Sequence, residues 1–112
     1  MMLRTLRDIM LQIGFENVDE AIDGGSAFQL MQSKTYGLLV SDWSMLPVSG
    51  IELLRNVRAD PKLKAIPFII VSAEGSTENV SLARDAGVSA YVVKPFRRES
   101  LRATILKTLG ES

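Results

Sequence analysis

Apolar residues recur along the chain at two alternating spacings, one typical of amphipathic helices and the other of buried strands. Positions three and four apart predict helices over five segments, 2–13, 26–33, 51–60, 78–86 and 99–109. Shorter apolar runs between them predict four strands, at 17–21, 37–41, 67–71 and 90–93. Glycine or proline follows most of the predicted helices, as expected at helix ends.

Strands that alternate with helices predict an α/β domain with a mainly parallel sheet, and right-handed crossovers place helices on both of its faces. The 112 residues suffice for one such domain, and they contain no internal repeat or linker. In open parallel sheets the functional groups collect just beyond the carboxyl ends of the strands. Candidate functional residues are therefore expected at that edge.

The charge balance and the missing residue types narrow the chemistry. Thirteen basic and thirteen acidic side chains leave no net charge, which argues against nucleic-acid binding through bulk electrostatics. Cysteine and histidine are absent, which excludes disulfides, thiolate or imidazole zinc sites and histidine-based catalysis. No apolar run approaches the roughly 18 residues of a membrane span, and no secretory signal is recognised. We therefore expect a cytoplasmic protein without a membrane partner.

Three of the predicted strands lead directly into side chains with complementary chemistry. Asp42, Ser72 and Lys94 each follow one of the buried strands. If those strands are neighbours, a carboxylate, a hydroxyl and an ammonium group meet at one edge of the sheet. A carboxylate can attack phosphorus, and the other two groups can hold phosphoryl oxygens. Taken singly, each residue is explained as well by a turn or a solvated surface, but their joint placement indicates a phosphoryl site.

Segments 40–45 (VSDWSM), 71–74 (VSAE) and 91–96 (YVVKPF) resemble three motifs of response-regulator receiver domains. The resemblance extends over nearly the whole chain and is strongest to the single-domain chemotaxis type. It implies a flavodoxin-like (CheY-like) doubly wound parallel sheet. It also implies a two-component phosphorelay, in which a histidine kinase or phosphotransfer protein donates the phosphoryl group and the receiver signals by protein–protein contact rather than as an enzyme.

The resemblance assigns a role to each matching residue. Asp42 corresponds to the phosphoacceptor, Ser72 to the hydroxyl that binds the phosphoryl group, and Lys94 to the lysine that pairs with it. Tyr91 corresponds to an aromatic switch that turns inward after phosphorylation. Asp42 and the backbone carbonyl of Ser44 correspond to ligands of Mg²⁺, the family's cofactor. The surface built from residues 78–109 corresponds to the face that contacts a downstream protein.

Two features of the family are missing from this sequence. Receiver domains begin with a buried strand that ends in two acidic Mg²⁺ ligands, whereas Met1 already lies in what resembles the first helix. We therefore interpret residues 1–112 as one receiver domain that is incomplete at its N-terminus, with four of five strands. Asp42 and one carbonyl make a poor Mg²⁺ site, so phosphorylation is expected to be slow or undetectable.

In the family that this chain resembles, the missing strand lies between the strands predicted here at 17–21 and 37–41. Losing about five buried apolar residues costs on the order of 10 kcal/mol, which is comparable to the whole stability of a domain. It also leaves open strand edges. We therefore expect the chain to rearrange its strands or to exchange a strand in a homodimer.

Two other functions compete with the phosphorylation switch. A pseudo-receiver that binds proteins without being phosphorylated would explain the missing acidic pair, but it need not retain Asp42, Ser72, Lys94 and Tyr91. A phosphatase with an aspartate nucleophile typically has a second aspartate two positions later, where this chain has Ser44. The switch is therefore the leading hypothesis, and the pseudo-receiver remains the alternative.

Overall fold

The computed structural model describes residues 2–15, 17–21, 24–43, 49–73 and 75–110, with backbone only for residues 2–6. In chain order the elements are α1 (Met2–Ile13), α2 (Gly24–Ser33), β1 (Leu39–Asp42), α3 (Gly50–Ala59), β2 (Phe68–Ser72), α4 (Thr77–Asp85), β3 (Ala90–Val93) and α5 (Arg98–Thr108). All five predicted helices are present. Within the described ranges, no helix has the length and apolar character needed to cross a membrane.

The sheet has three parallel strands in the order β1-β2-β3. Asp42 lies opposite Val71, and Ser72 lies opposite Val93. The parallel pairing and the alternation with helices confirm the predicted α/β class. Because the strands run the same way, their carboxyl ends share one edge of the sheet.

The strand predicted at 17–21 is wrong. These residues are irregular, and Asn17, Asp19 and Glu20 are exposed. A strand gains its stability by pairing backbone groups with a neighbour, and the neighbour that the family resemblance places there is not among the described strands. The segment is held instead through one side chain, since the Asp19 carboxylate binds Lys34 at 3.2 Å and also accepts a hydrogen bond from the Tyr36 hydroxyl.

Strand β2 is the centre of the core, because all five of its residues are buried. Its alternate side chains point to opposite faces, and each face has its own apolar cluster. On the side of α2 and α3 the cluster comprises Ala27, Met31, Ile51, Leu53, Leu54, Val57, Phe68, Ile70 and Ala83. On the side of α1 and α5 it comprises Ile9, Leu38, Ile69, Val71, Leu101 and Ile105. This two-sided burial is what the continuous apolar run of β2 predicts.

Arg58, near the end of α3, forms hydrogen bonds with two loops at the end of the sheet opposite Asp42. Its Nε donates to the carbonyl of Gly87 at 2.8 Å, and its Nη1 donates to the carbonyl of Ile66 at 2.6 Å. Burial lowers the pKa of Arg58. Gly87 has φ +95°, and a Cβ there would lie 3.2 Å from the Arg58 Nε. Glycine is therefore required both by the backbone conformation and by the guanidinium.

Tyr36 provides a pH-dependent test of the segment that replaces the expected strand. Desolvation and the hydrogen bond to Asp19 raise the pKa of Tyr36 to about 12, from an ordinary value of 10.0. A raised pKa means that the protonated hydroxyl stabilises the folded state. That contribution is complete below pH 10 and is lost as the pH rises through the folded value.

In a Tyr91→Phe variant, where Tyr36 is the remaining tyrosine, we expect the 295 nm absorbance to titrate with a midpoint near 12. Adding Asp19→Asn removes the charged acceptor but not the desolvation, so the midpoint should fall only part of the way to the ordinary value. A midpoint near 10 in the variant with Asp19 intact would contradict the described contact.

Candidate functional site

The carboxyl edge of the sheet carries one candidate site residue at the end of each of its three strands. Asp42 ends β1, Ser72 ends β2, and Lys94 directly follows β3. The backbone ladder continues past the strand ends, because Trp43 N donates to Val71 O at 2.9 Å and Lys94 N donates to Ser72 O at 2.8 Å. These bonds fix the backbone from which the side chains project.

Asp42 and Lys94 form an ion pair across this edge. The Lys94 Nζ lies 2.8 Å from the Asp42 Oδ2, although the two residues are 52 positions apart in the sequence. The Asp42 side chain is 22% exposed, and the Lys94 side chain is 27% exposed. Partial exclusion of water strengthens the attraction relative to a fully exposed pair. The remaining exposure leaves the carboxylate accessible to a ligand from solvent.

Ser72 lies in the middle strand, between the two strands that carry Asp42 and Lys94. It is only 3% exposed. Tyr91 lies on β3 opposite Ile70 and is half-buried. Ser72 thus belongs to the strand that lies between those leading to Asp42 and Lys94. Tyr91 lies two residues further from the edge than Val93, the residue opposite Ser72. The peptide bond between Lys94 and Pro95 is cis.

Trp43 is the residue immediately after Asp42, and its ring contacts Tyr91. The ring centroids are 6.2 Å apart with an interplanar angle of 64°, which is an edge-to-face arrangement. Trp43 is half-buried and packs against the cluster on the side of α2 and α3. The contact connects the chain next to Asp42 directly with the predicted switch residue.

Gly50 is a site residue that the sequence analysis missed. Its N–H donates to Trp43 O at 2.9 Å, so α3 starts directly against the backbone of the Asp42 segment. A Cβ at Gly50 would lie 2.3 Å from the Asp42 carbonyl oxygen and 3.0 Å from the Trp43 Cα. Ser49 caps the helix by accepting from Glu52 N. A glycine directly after an N-cap is a poor helix former, and that was the available signal of close packing.

Magnesium ligands are only partly supplied by the described residues. Ser44, whose carbonyl is a predicted ligand, lies outside the described ranges. Over those ranges no group of three or more histidine, cysteine, aspartate or glutamate side chains could hold a metal ion. Asp42 itself is bonded to Lys94. Mg²⁺ requires a near-octahedral set of oxygen ligands, so the described residues do not fit this cofactor.

Comparison with known proteins gives the same family throughout. The model for the response regulator receiver domain matches residues 1–106. The chain is 42% identical over 106 residues to chemotaxis protein CheY of Pseudomonas aeruginosa, covering 95% of this chain and 86% of the relative. A putative response regulator from Chloroflexus aurantiacus superposes with a TM-score of 0.90 at 25% identity, covering 96% of this chain and 88% of that one.

A further solved structure with this fold contains a bound metal ion. It is the receiver domain of sensor histidine kinase PA1611 from Pseudomonas aeruginosa, with a magnesium ion coordinated in its active-site cleft. It superposes with a TM-score of 0.85 at 21% identity, covering 96% of this chain and 88% of that one. The fold, the family match and the chemotaxis relative lead to one conclusion: this chain belongs to the response regulator receiver domain family and has the CheY-like fold.

Proposed function

We propose that Asp42 is the phosphoacceptor of a chemotaxis-type receiver, and that it takes its phosphoryl group from a histidine kinase or a phosphotransfer protein in the cytoplasm. The observation that supports this most strongly is the ion pair between Lys94 Nζ and Asp42 Oδ2 at the carboxyl edge. A lysine held there stabilises negative charge at the place where a phosphoryl group would arrive.

The chemistry requires no further reactive side chain. A carboxylate oxygen of Asp42 attacks phosphorus, so that an O–P bond forms as the P–N bond to the donor histidine breaks. The departing imidazole keeps the bonding electron pair and accepts a proton. Lys94 and Ser72 then hold phosphoryl oxygens, the first through its charge and the second through its hydroxyl. The product is an acyl phosphate that alters the surroundings of Ser72 and Tyr91.

Magnesium would normally neutralise the transferring group in this family. Because the described residues do not make a complete set of ligands, we expect slow labelling by acetyl phosphate. A metal ion contributes several kcal/mol of charge stabilisation, so the rate should lie about 100-fold or more below that of the chemotaxis relative.

The measurement compares this chain with CheY of Pseudomonas aeruginosa, each with Mg²⁺ and with EDTA. Trp43 fluorescence during titration with Mg²⁺ and beryllofluoride gives an independent readout of the same site. Rapid, Mg²⁺-dependent labelling equal to that of the relative would show that the ligand set is complete. A chain that is neither labelled nor responsive in fluorescence would behave as a pseudo-receiver.

The output surface is proposed to lie on α4, β3 and α5, within residues 78–109. Leu82 on α4 and Val93 on β3 are 44% and 43% exposed, so these elements present apolar side chains to solvent. Val93 lies opposite Ser72 in the sheet. A downstream protein that docks there would cover apolar surface adjacent to the phosphoryl site.

The open edge of β1 supports exchange of a strand between two copies of the chain. The N–H groups of Leu39 and Trp43 point toward β2, since they donate to Pro67 O and Val71 O. Backbone N–H and C=O groups alternate in direction from one residue to the next along a strand, so those of Val40 face away from β2. On that edge of β1 the described residues contain no pairing strand. An unpaired edge of this kind is a template for another chain.

We expect light scattering to give the mass of two chains, and Val40→Pro to shift the species toward one chain. Proline removes the outward N–H of Val40 and leaves the ladder with β2 intact. Ser41→Pro is the matched control, because Ser41 faces β2 and its replacement should destabilise the sheet itself. A monomeric mass at all concentrations would contradict strand exchange.

A further inference from the structure

We infer that Trp43 is a positioning residue that holds the ring of Tyr91 in place in the unphosphorylated protein, so that Asp42 is linked to Tyr91 by a route separate from Ser72. The inference rests on the proposed function, which makes Asp42 the acceptor and Tyr91 the switch. It starts from the edge-to-face contact between the two rings, with centroids 6.2 Å apart.

The backbone of Trp43 is fixed on both sides. Its N–H donates to Val71 O at 2.9 Å, and its carbonyl accepts from Gly50 N at 2.9 Å. A Cβ on Gly50 would lie only 3.0 Å from the Trp43 Cα, so α3 presses directly against this residue. With the backbone held, the position of the indole depends on few torsions, and the ring is a rigid support for its neighbour.

The two rings meet by crossing the middle strand. Side chains alternate along each strand, so Trp43 shares a face with Leu39, and Tyr91 shares that face with Phe68 and Ile70. Strand β2 lies between β1 and β3. The two rings therefore meet over β2, on the same face from which the Ser72 side chain projects, and the aromatic pair bridges the two outer strands.

Tyr91 needs such a support because of where it lies. It is half-buried on β3, which is an edge of the described sheet. A half-buried aromatic residue on an edge strand has solvent available on one side, so contact with a neighbouring ring restricts the rotamers that it can adopt. Asp42 and Trp43 are adjacent in the chain, so only one peptide unit separates the acceptor from the residue that carries the indole.

The test labels the full chain with 3-fluorotyrosine, which places one fluorine on Tyr36 and one on Tyr91. The difference in ¹⁹F chemical shift between H₂O and D₂O reports solvent contact at each ring. We expect Trp43→Leu to increase this isotope shift at Tyr91 about twofold, since the ring gains a rotamer that faces water. Tyr36 is bonded to Asp19 outside the site and should not change.

Trp43→Phe is the conservative variant. It should keep most of the protection of Tyr91 from solvent, because it retains an aromatic ring beside Tyr91. The inference is overturned if Trp43→Leu leaves the isotope shift of Tyr91 at its original value. It is also overturned if both tyrosines gain exposure together, since that result would indicate general loosening. Phosphoryl labelling of Asp42 by acetyl phosphate, measured on the same samples, tests the proposed function separately from the two fluorine signals.

Discussion

Asp42→Asn is expected to abolish phosphoryl labelling completely. An amide is not a nucleophile toward phosphorus at neutral pH, and the labelling expected of this chain is already slow. The fold should survive, because the amide oxygen can still accept the hydrogen bond that Lys94 now donates to Asp42 Oδ2. The measurement is incorporation from acetyl phosphate over a long incubation, with circular dichroism to verify the fold.

Asp60→Asn is the matched control. Asp60 lies at the opposite end of α3 from Gly50, is half-buried, and binds Gln32 through its carboxylate at 2.8 Å. Hydrogen bonds from Gln32 and from the backbone of Lys62 lower the pKa of Asp60, so its carboxylate is ionised at neutral pH. Labelling that survives Asp42→Asn, or that is lost with Asp60→Asn, would assign the acceptor elsewhere.

Gly50→Ala is expected to destabilise the domain by about 3 kcal/mol and to displace the acceptor segment. The new methyl group would lie 2.3 Å from the Asp42 carbonyl oxygen, which is backbone and cannot rotate away. Either α3 or the Asp42–Trp43 segment must therefore move. Denaturant unfolding measures the stability, and Trp43 fluorescence reports the displacement because Trp43 is the single tryptophan of the chain.

Gly37→Ala is the corresponding control, because Gly37 lies two residues before the start of β1. Nothing lies within 4 Å of a Cβ built at Gly37, and the residue is exposed. Its replacement should change the free energy of unfolding by no more than about 0.5 kcal/mol. Equal effects of the two substitutions would mean that the loss at Gly50 reflects the general cost of replacing glycine rather than contact with the acceptor segment.

The sequence was sufficient to predict the elements that depend on local pattern. The apolar runs of β1, β2 and β3 and the helical periods between them are visible without any tertiary information. The convergence of Asp42 and Lys94 could also be predicted, because parallel neighbouring strands bring their carboxyl ends to one edge. Their separation of 2.8 Å confirms that the two strands carry their side chains to a common place.

Residues whose importance depends on distant partners could not be predicted. Residues 17–21 have a composition compatible with a strand, but the segment is irregular and has no pairing strand among the residues that the structure describes. From the sequence alone, Arg58 is indistinguishable from an ordinary surface charge on a helix. In the structure its guanidinium binds backbone carbonyls 8 and 29 positions away. The role of Gly50 depends on the approach of α3 to β1, which is set by packing and not by local propensity.

The most direct test of the central claim is to locate the acyl phosphate itself. After prolonged incubation with acetyl phosphate, borohydride reduces an aspartyl phosphate to homoserine, and peptide mass spectrometry identifies the altered position. The phosphoacceptor proposal predicts that the modification is confined to Asp42 and is lost when Lys94 is replaced by alanine. Modification spread over exposed carboxylates such as Glu52 and Glu99, or confined to a residue other than Asp42, would contradict it.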